Sequence, residues 1–247
     1  MRNIIFSHRS VRKYKKTPVE QKLLDSVLEA GTRASNTGNM QVYSLIVTTD
    51  ETLRSGLYEA HFKQNMVLEA PVHITFCADI HRFSAWCDQR EAIPCYDNFL
   101  WFCTAFCDAI LVSQNVALAA EEAGLGICYL GTAMYNADQI IDLLEIPKGV
   151  VPVVSMVIGY PDAETPLTDR LPLEAVVHHE KYQIPGCSDI DRFYSDLETS
   201  GQTRELLKIN KKNTLAQVFT ENRYSREANE LFSRKYLDTI KKQGFLF

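Results

Sequence analysis

A chain of 247 residues with a net charge of −5, 46% of it apolar and 23% charged, has the profile of an ordinary globular protein: one large domain, or a compact domain with an extension. The acidic balance argues against a general nucleic-acid binder, which needs a basic face. No run approaches the ~20 apolar residues of a membrane span, and no signal-peptide core opens the chain, so neither nucleic acid nor membrane is expected as a partner.

Taken in chain order, His8-Arg9-Ser10-Val11-Arg12 comes first. Two guanidinium groups, a hydroxyl and an imidazole form a donor set suited to a phosphate, which arginine grips through charge-assisted hydrogen bonds. In an extended segment residues 10 and 12 point one way and 9 and 11 the other, so each arginine can meet a different part of one ligand. Lys13, Lys15 and Lys16 follow, and on spacing alone a solvated basic N-terminus explains the segment equally well.

Thr17-Pro18-Val19-Glu20 reads as a helix start, with Thr17 as N-cap, proline in the first turn and Glu20 completing a capping box. Val19, Leu23, Leu24, Val27 and Leu28 then form an apolar stripe at helical spacing. The small and amide residues from Ala34 to Gln41 predict a loop. Strands are expected at 43–49, 71–78 and 127–130, a helix at 51–60, and no clear period over 80–98. A helix over 99–123 is apolar nearly all round, which implies deep burial. Asn136 should cap a helix ending at Pro147, and 150–159 is the most β-like run. From Cys187 onward charged helices dominate, the last over 225–243. We therefore expect a body over 1–186 and a helical extension over 187–247, packing on that body or on a partner subunit.

Several motifs are excluded. The glycines at 124, 126 and 131 miss G-x-G-x-x-G because position 129 is Tyr. Neither a P-loop nor a G-x-S-x-G elbow occurs. His178-His179-Glu180 is no metalloprotease signature, since adjacent side chains on a regular element point apart. The seven cysteines lack a C-x-x-C and sit mostly in apolar context, which predicts reduced, mainly buried thiols, no metal centre and a cytoplasmic setting.

Five blocks in order carry a family likeness: His8 to Tyr14, Gln41 closing the small-residue loop, Gly124 to Gly131, Gly159-Tyr160-Pro161 with Arg170-Leu171-Pro172, and Lys242-Gln243-Gly244-Phe245. The chain resembles the nitroreductase family of FMN-dependent oxidoreductases, nearest the oxygen-insensitive NADPH nitroreductases and NADPH–flavin oxidoreductases. The resemblance implies an α+β fold with a mixed central sheet flanked by helices, in a domain-exchanged homodimer with FMN at the interface. It implies that His8, Arg9, Ser10 and Arg12 hold the FMN phosphate, ribityl chain and pyrimidine edge. Asn36, Thr37 and Gln41 would add flavin and pocket contacts, Gln64 would meet the ring, and Tyr129, Leu130, Gly131 and Thr132 would run along one flavin edge. Arg170 would supply a further phosphate contact. Thr168 and Asp169 depart from the Lys-x-Arg of near relatives, which removes a cation beside the phosphate.

The implied activity is ping-pong two-electron transfer from NADPH or NADH to a small-molecule acceptor such as a nitroaromatic, a quinone or free flavin. The cofactor carries the chemistry, so no catalytic side chain is expected. Lys211 and Lys212, outside capping and core positions, are candidates for the extra phosphate of NADPH, or a solvated face. The rival readings are an FMN-binding storage or regulatory protein with little turnover, and a reductive dehalogenase-type relative.

Overall fold

The computed structural model describes residues 4–246. Cα packing divides the chain into two compact units, one running to Pro166 and resuming at Phe232, the other spanning Leu167–Leu231.

The first unit is built on a four-stranded sheet of β1 (Tyr43–Thr48), β2 (Val72–Asp79), β3 (Gly126–Leu130) and β4 (Val150–Gly159), in the order β1-β2-β4-β3. All three pairings are antiparallel. This corrects the mixed sheet expected above: among the described residues, parallel pairing is confined to isolated bridges, Ser10 with Ile127 and Asn98 with Leu246. Pro152 lies inside a central strand, where a residue without N–H breaks the ladder. The register absorbs it, because Phe76 pairs with Val154 and Cys77 with Pro152, which leaves Val153 as the extra residue of a bulge.

Every residue of β2 and β4 is buried, so both sheet faces must be covered. Ile74, Phe76 and Ala78 face a core shared with α1 (Gln21–Thr32) and α5 (Phe99–Glu122). Cys77 faces a second core with Leu57 and Ala60 of α2 (Glu51–Ala60), Val67 of α3 (Met66–Glu69) and Ile140 of α6 (Ala137–Leu143). α2 is capped by Asp50, which accepts from Leu53 N–H at 2.8 Å, and α5 by Asn98, which accepts from Trp101 N–H at 3.2 Å. The end of the chain closes the first core, with Ile240 and Phe245 buried in it and the Tyr236 hydroxyl donating to the Pro152 carbonyl at 3.0 Å.

Several local expectations are corrected. α1 starts at Gln21 with Glu20 as an extended N-cap residue, so Thr17 makes no capping box. Lys15 N–H is still bonded to the Tyr160 carbonyl, and the proline after Thr17 keeps that residue extended. Residues 81–88 form a helix, α4, that the mixed polarity of the region concealed. Asn136 precedes α6 without capping it, since its amide donates to the Ala60 carbonyl at 2.7 Å and its oxygen accepts from Lys235 at 2.9 Å. Burial of α5 is one-sided: Ala105, Ala109, Val112 and Val116 are fully buried, while Leu100 is 70% and Leu111 46% exposed. By length and composition α5 could cross a membrane, yet it is fixed along one side to α1 and the sheet. Of the seven free cysteines only Cys77, Cys87 and Cys128 are buried, fewer than the apolar sequence context implies.

The second unit is helical, with α7 (Cys187–Thr199), α8 (Gly201–Asn210), the short α9 (Leu215–Gln217) and the first residues of α10 (Arg226–Lys242). The buried Thr203 hydroxyl donates to the Leu197 carbonyl at 2.6 Å and ties α8 to α7.

Candidate functional site

Three of the segments singled out from the sequence are fastened to one helix, α5. The first is the basic segment. It is extended and pairs with β3 through the Ser10–Ile127 bridge and a 2.8 Å bond from Val11 N–H to the Ile127 carbonyl. Gly126 makes the approach possible, because a Cβ there would sit 2.7 Å from Val11 Cγ2. Arg9 and Val11 line one cavity of about 640 Å³ together with Lys15, Glu121 and Pro161, as alternation requires. Among the described residues Arg9 Nε is buried without a partner, and one Nη bonds the Ser7 carbonyl at 3.3 Å. Arg12, exposed, reaches the Ser10 carbonyl at 3.3 Å. His8 Nδ1 lies 2.7 Å from Glu121 Oε1 near the end of α5.

The second segment is the loop before β1. Asp108, 1% exposed on α5, accepts from Thr37 N–H at 3.0 Å and from the Thr37 hydroxyl at 3.2 Å. Asn36 Oδ1 accepts from Gln41 N–H at 3.3 Å, closing a turn whose Gly38, Asn39 and Gln41 have φ of 55°, 57° and 55°. Arg82 donates to the Gln41 carbonyl, and to that of Tyr43 at 3.2 Å. The third is the end of β3. The Tyr129 hydroxyl donates to Ser113 Oγ of α5 at 3.1 Å, and burial pushes that phenol up to about 12 despite the bond.

Beyond β3, Gly131 and Thr132 begin a 3-10 turn. Open space lies beside Gly131, where a Cβ would meet nothing within 4 Å. Gln64 reaches this point from the turn after α2, its amide donating to Thr132 Oγ1 at 3.2 Å and to the His61 carbonyl at 3.1 Å. Thr132 Oγ1 also lies 2.7 Å from His61 Nδ1, and His61 Nε2 lies 3.2 Å from His73 Nε2. The structure thus brings Gln64 and Thr132 together as neighbours, with Leu130 buried behind them. From Ile127, where the basic segment pairs, to Gly131 is four strand residues, roughly 13 Å at the usual rise. The arrangement offers cationic donors at one end of a strand and a hydroxyl–amide pair at the other. Such a surface suits a long ligand with an anionic tail and a polar-edged ring.

In the second unit Arg170 bonds the carbonyls of Thr168 and Asp169, both at 3.2 Å. Lys211 is the left-handed C-cap of α8 at φ 53°. That corrects its assignment outside capping positions: at this helix end the chain must turn into the left-handed region, and lysine stands where glycine is usual. Lys212 pairs with Glu221 at 2.5 Å.

Sequence reasoning missed His61, His73, Asp108, Ser113 and Glu121. Asp108 and Ser113 carried a signal, each being a polar residue that interrupts the apolar run of Phe99–Glu122.

Comparison with known proteins agrees with this geometry. The model of the nitroreductase family matches residues 5–160. An NADPH-dependent oxidoreductase of Staphylococcus saprophyticus is 30% identical over 251 residues, covering 99% of this chain and 97% of the relative. A crystal structure of a Bacteroides fragilis NCTC 9343 protein superposes with a TM-score of 0.98 at 42% identity, covering 99% of this chain and all of the other. The NADPH:FMN oxidoreductase of Vibrio harveyi, solved in complex with NAD+, superposes with a TM-score of 0.80 at 27% identity over 96% and 95% of the two chains. The matched segment covers the basic segment, the small-residue loop and all four strands, and the chain belongs to the nitroreductase family.

Proposed function

We propose that this protein is a homodimeric FMN-dependent NAD(P)H oxidoreductase that reduces small acceptors such as nitroaromatics, quinones or free flavin, with NADPH the favoured donor. The observation that carries the reading is Arg9: its Nε is buried without a partner among the described residues, in an extended basic segment docked on β3. A buried guanidinium nitrogen left unbonded costs about 1–3 kcal/mol, and an anionic ligand at the segment would recover it. The open space beside Gly131 and the Thr132–Gln64 pair are the features a ring with polar edges needs, so the residues fit FMN.

In this reading His8, Arg9, Ser10 and Arg12 bind the phosphate and ribityl chain, with Arg170 adding a contact. Asn36, Thr37 and Gln41 shape the pocket wall, and Gln64 with the turn from Tyr129 to Thr132 orients the ring. When bound, FMN would supply the two-electron chemistry that links a nicotinamide donor to the acceptor. The protein contributes alignment, charge and exclusion of water. The Leu100 and Leu111 face of α5, open in the single chain, is the surface a second copy would cover. The names of the Staphylococcus and Vibrio relatives support the donor and the cofactor.

The test is the chromophore released from purified protein by heat. FMN at one per chain is expected, and stoichiometric FAD or the absence of any flavin would overturn the proposal.

A further inference from the structure

His61 and His73 are fully buried, and the sequence offers no reason for either. His61 ends α2 and His73 lies on β2, on the sheet face that packs against α2. Their Nε2 atoms lie 3.2 Å apart, so one proton lies between them: two lone pairs would repel, and two N–H groups would clash. Burial holds both rings neutral, and a neutral imidazole carries one N–H.

Two arrangements follow. In one, His61 donates through Nε2 to His73, the Thr132 hydroxyl donates to His61 Nδ1, and His73 is left with an N–H at Nδ1. That atom is buried and has no partner among the described residues. In the other, His73 donates through Nε2 to His61, and His61 donates through Nδ1 to Thr132 Oγ1. His73 Nδ1 then holds only an unused lone pair. An orphaned buried N–H is rarer and costlier than an under-used acceptor, so the second arrangement wins.

Its consequence falls on Thr132. The Gln64 amide also donates to Thr132 Oγ1, and because the same amide group bonds the His61 carbonyl, its N/O orientation is set. Two donors converge on the threonine oxygen, so its own hydrogen must point elsewhere. Among the described residues no protein acceptor takes it, and open space lies beside the neighbouring Gly131. The turn carrying Gln64 is itself strained, with Phe62 and Lys63 at φ 55° and 58°, a conformation that persists only where the surroundings over-determine it.

We propose that His61 and His73 are positioning residues for the flavin ring: the chain His73 to His61 to Thr132 has a fixed direction, which turns the Thr132 hydroxyl into a hydrogen-bond donor to the bound ring. The proposal rests on the FMN reading above. A donor at this edge stabilises a reduced, anionic ring more than an oxidised, neutral one, because hydrogen bonds to charged groups are the stronger.

The test has two arms. Nitrogen-15 NMR of the purified protein at neutral pH should find His73 protonated on Nε2 and His61 on Nδ1, and the opposite tautomers would overturn the proposal without reference to flavin. In the second arm the midpoint potential of bound FMN is measured in Thr132→Val, His73→Leu, their double variant and His73→Gln. Thr132→Val and His73→Leu should each lower the preference for reduced over oxidised flavin about tenfold, or about 30 mV for a two-electron couple. The double variant should lose no more than either single change, while His73→Gln, which keeps an N–H near the same place, should stay close to wild type. Additive losses, or a wild-type potential in His73→Leu and His73→Gln alike, would overturn the role while leaving the FMN reading intact. Protein without FMN would remove both together.

Discussion

Thr37 and Asp108 are joined twice, the backbone N–H and the hydroxyl of Thr37 both donating to one buried carboxylate at 3.0 and 3.2 Å. This pair holds a loop with three residues at positive φ against the middle of α5. Asp108→Ala should leave the Thr37 N–H without its partner and cost about 1–3 kcal/mol. Urea unfolding should show the lost stability, and titration with FMN should show weaker binding, because the loop forms one wall of the proposed pocket. A variant as stable as wild type would mean the loop is held by Asn36 and Arg82 alone.

Stability should depend on pH through His61. Burial lowers its imidazole from 6.5 to about 4, and His73 is lowered in the same direction by burial and by the neighbouring His61 and Arg54 charges. Between pH 6.5 and about 4 the unfolded chain binds a proton that folded His61 refuses, so the unfolded state gains as the pH falls. Stability is complete above the unfolded value and is lost on acidification, by roughly 3 kcal/mol for a shift of this size. Urea midpoints measured across that range should fall toward acid in the wild type and fall less in His61→Gln. Equal slopes would show that His61 titrates normally.

Much of the fold was legible because periodicity reports burial. The stripe of Leu24 and Val27, the apolar runs of β2 and β4, and the length of α5 all follow from residues whose side chains decide their own environment. The basic segment was legible as chemistry, and its alternation places Arg9 and Val11 on one cavity. What stayed hidden depends on partners distant in sequence. Asn136 looked like a cap, but Ala60 and Lys235 claim its amide. Asp108 serves a loop 71 residues away, and no local pattern marks His73 as the partner of His61. The one-sided burial of α5 was hidden for a different reason: its exposed face, with Leu100 and Leu111, is as apolar as the face turned to the core.

The C-terminal residues should be indispensable to the first unit. Phe245 is fully buried, its ring 5.3 Å from that of Phe102. Phe245→Ala should cost roughly 3–5 kcal/mol, seen as a lower unfolding midpoint. A loss under ~1 kcal/mol, the usual range of a surface change, would show that the chain end is dispensable to the core.

The donor preference tests Lys211 and Lys212. Lys211→Ala keeps the same left-handed cap conformation and Lys212→Ala breaks an ion pair that is partly exposed, so folding should change by no more than about 1 kcal/mol. If the two cations meet the extra phosphate of NADPH, the double change should raise KM for NADPH about five- to thirtyfold, from ~1–2 kcal/mol of lost contacts, and leave NADH nearly untouched. Equal losses with both donors would return these lysines to a solvated face.

Arg12 bears on the cofactor site directly. Exposed and, among the described residues, bonded only to the Ser10 carbonyl, it is placed to meet a phosphate, and Arg12→Ala should weaken FMN binding by about 1.5–3 kcal/mol, or roughly ten- to hundredfold. Fluorescence titration of the apoprotein with FMN reads this number, and an unchanged affinity would show that the Arg12 side chain is solvated and takes no part in the site.

An FMN-dependent NADPH oxidoreductase must pass electrons from NADPH to its flavin, and anaerobic titration of the purified protein with NADPH, with the flavin absorbance followed, reads that step. One equivalent of NADPH should bleach the bound flavin, and a quinone or nitroaromatic should then restore the colour. A yellow protein that NADPH and NADH both leave unbleached would contradict it and favour a flavin store or sensor.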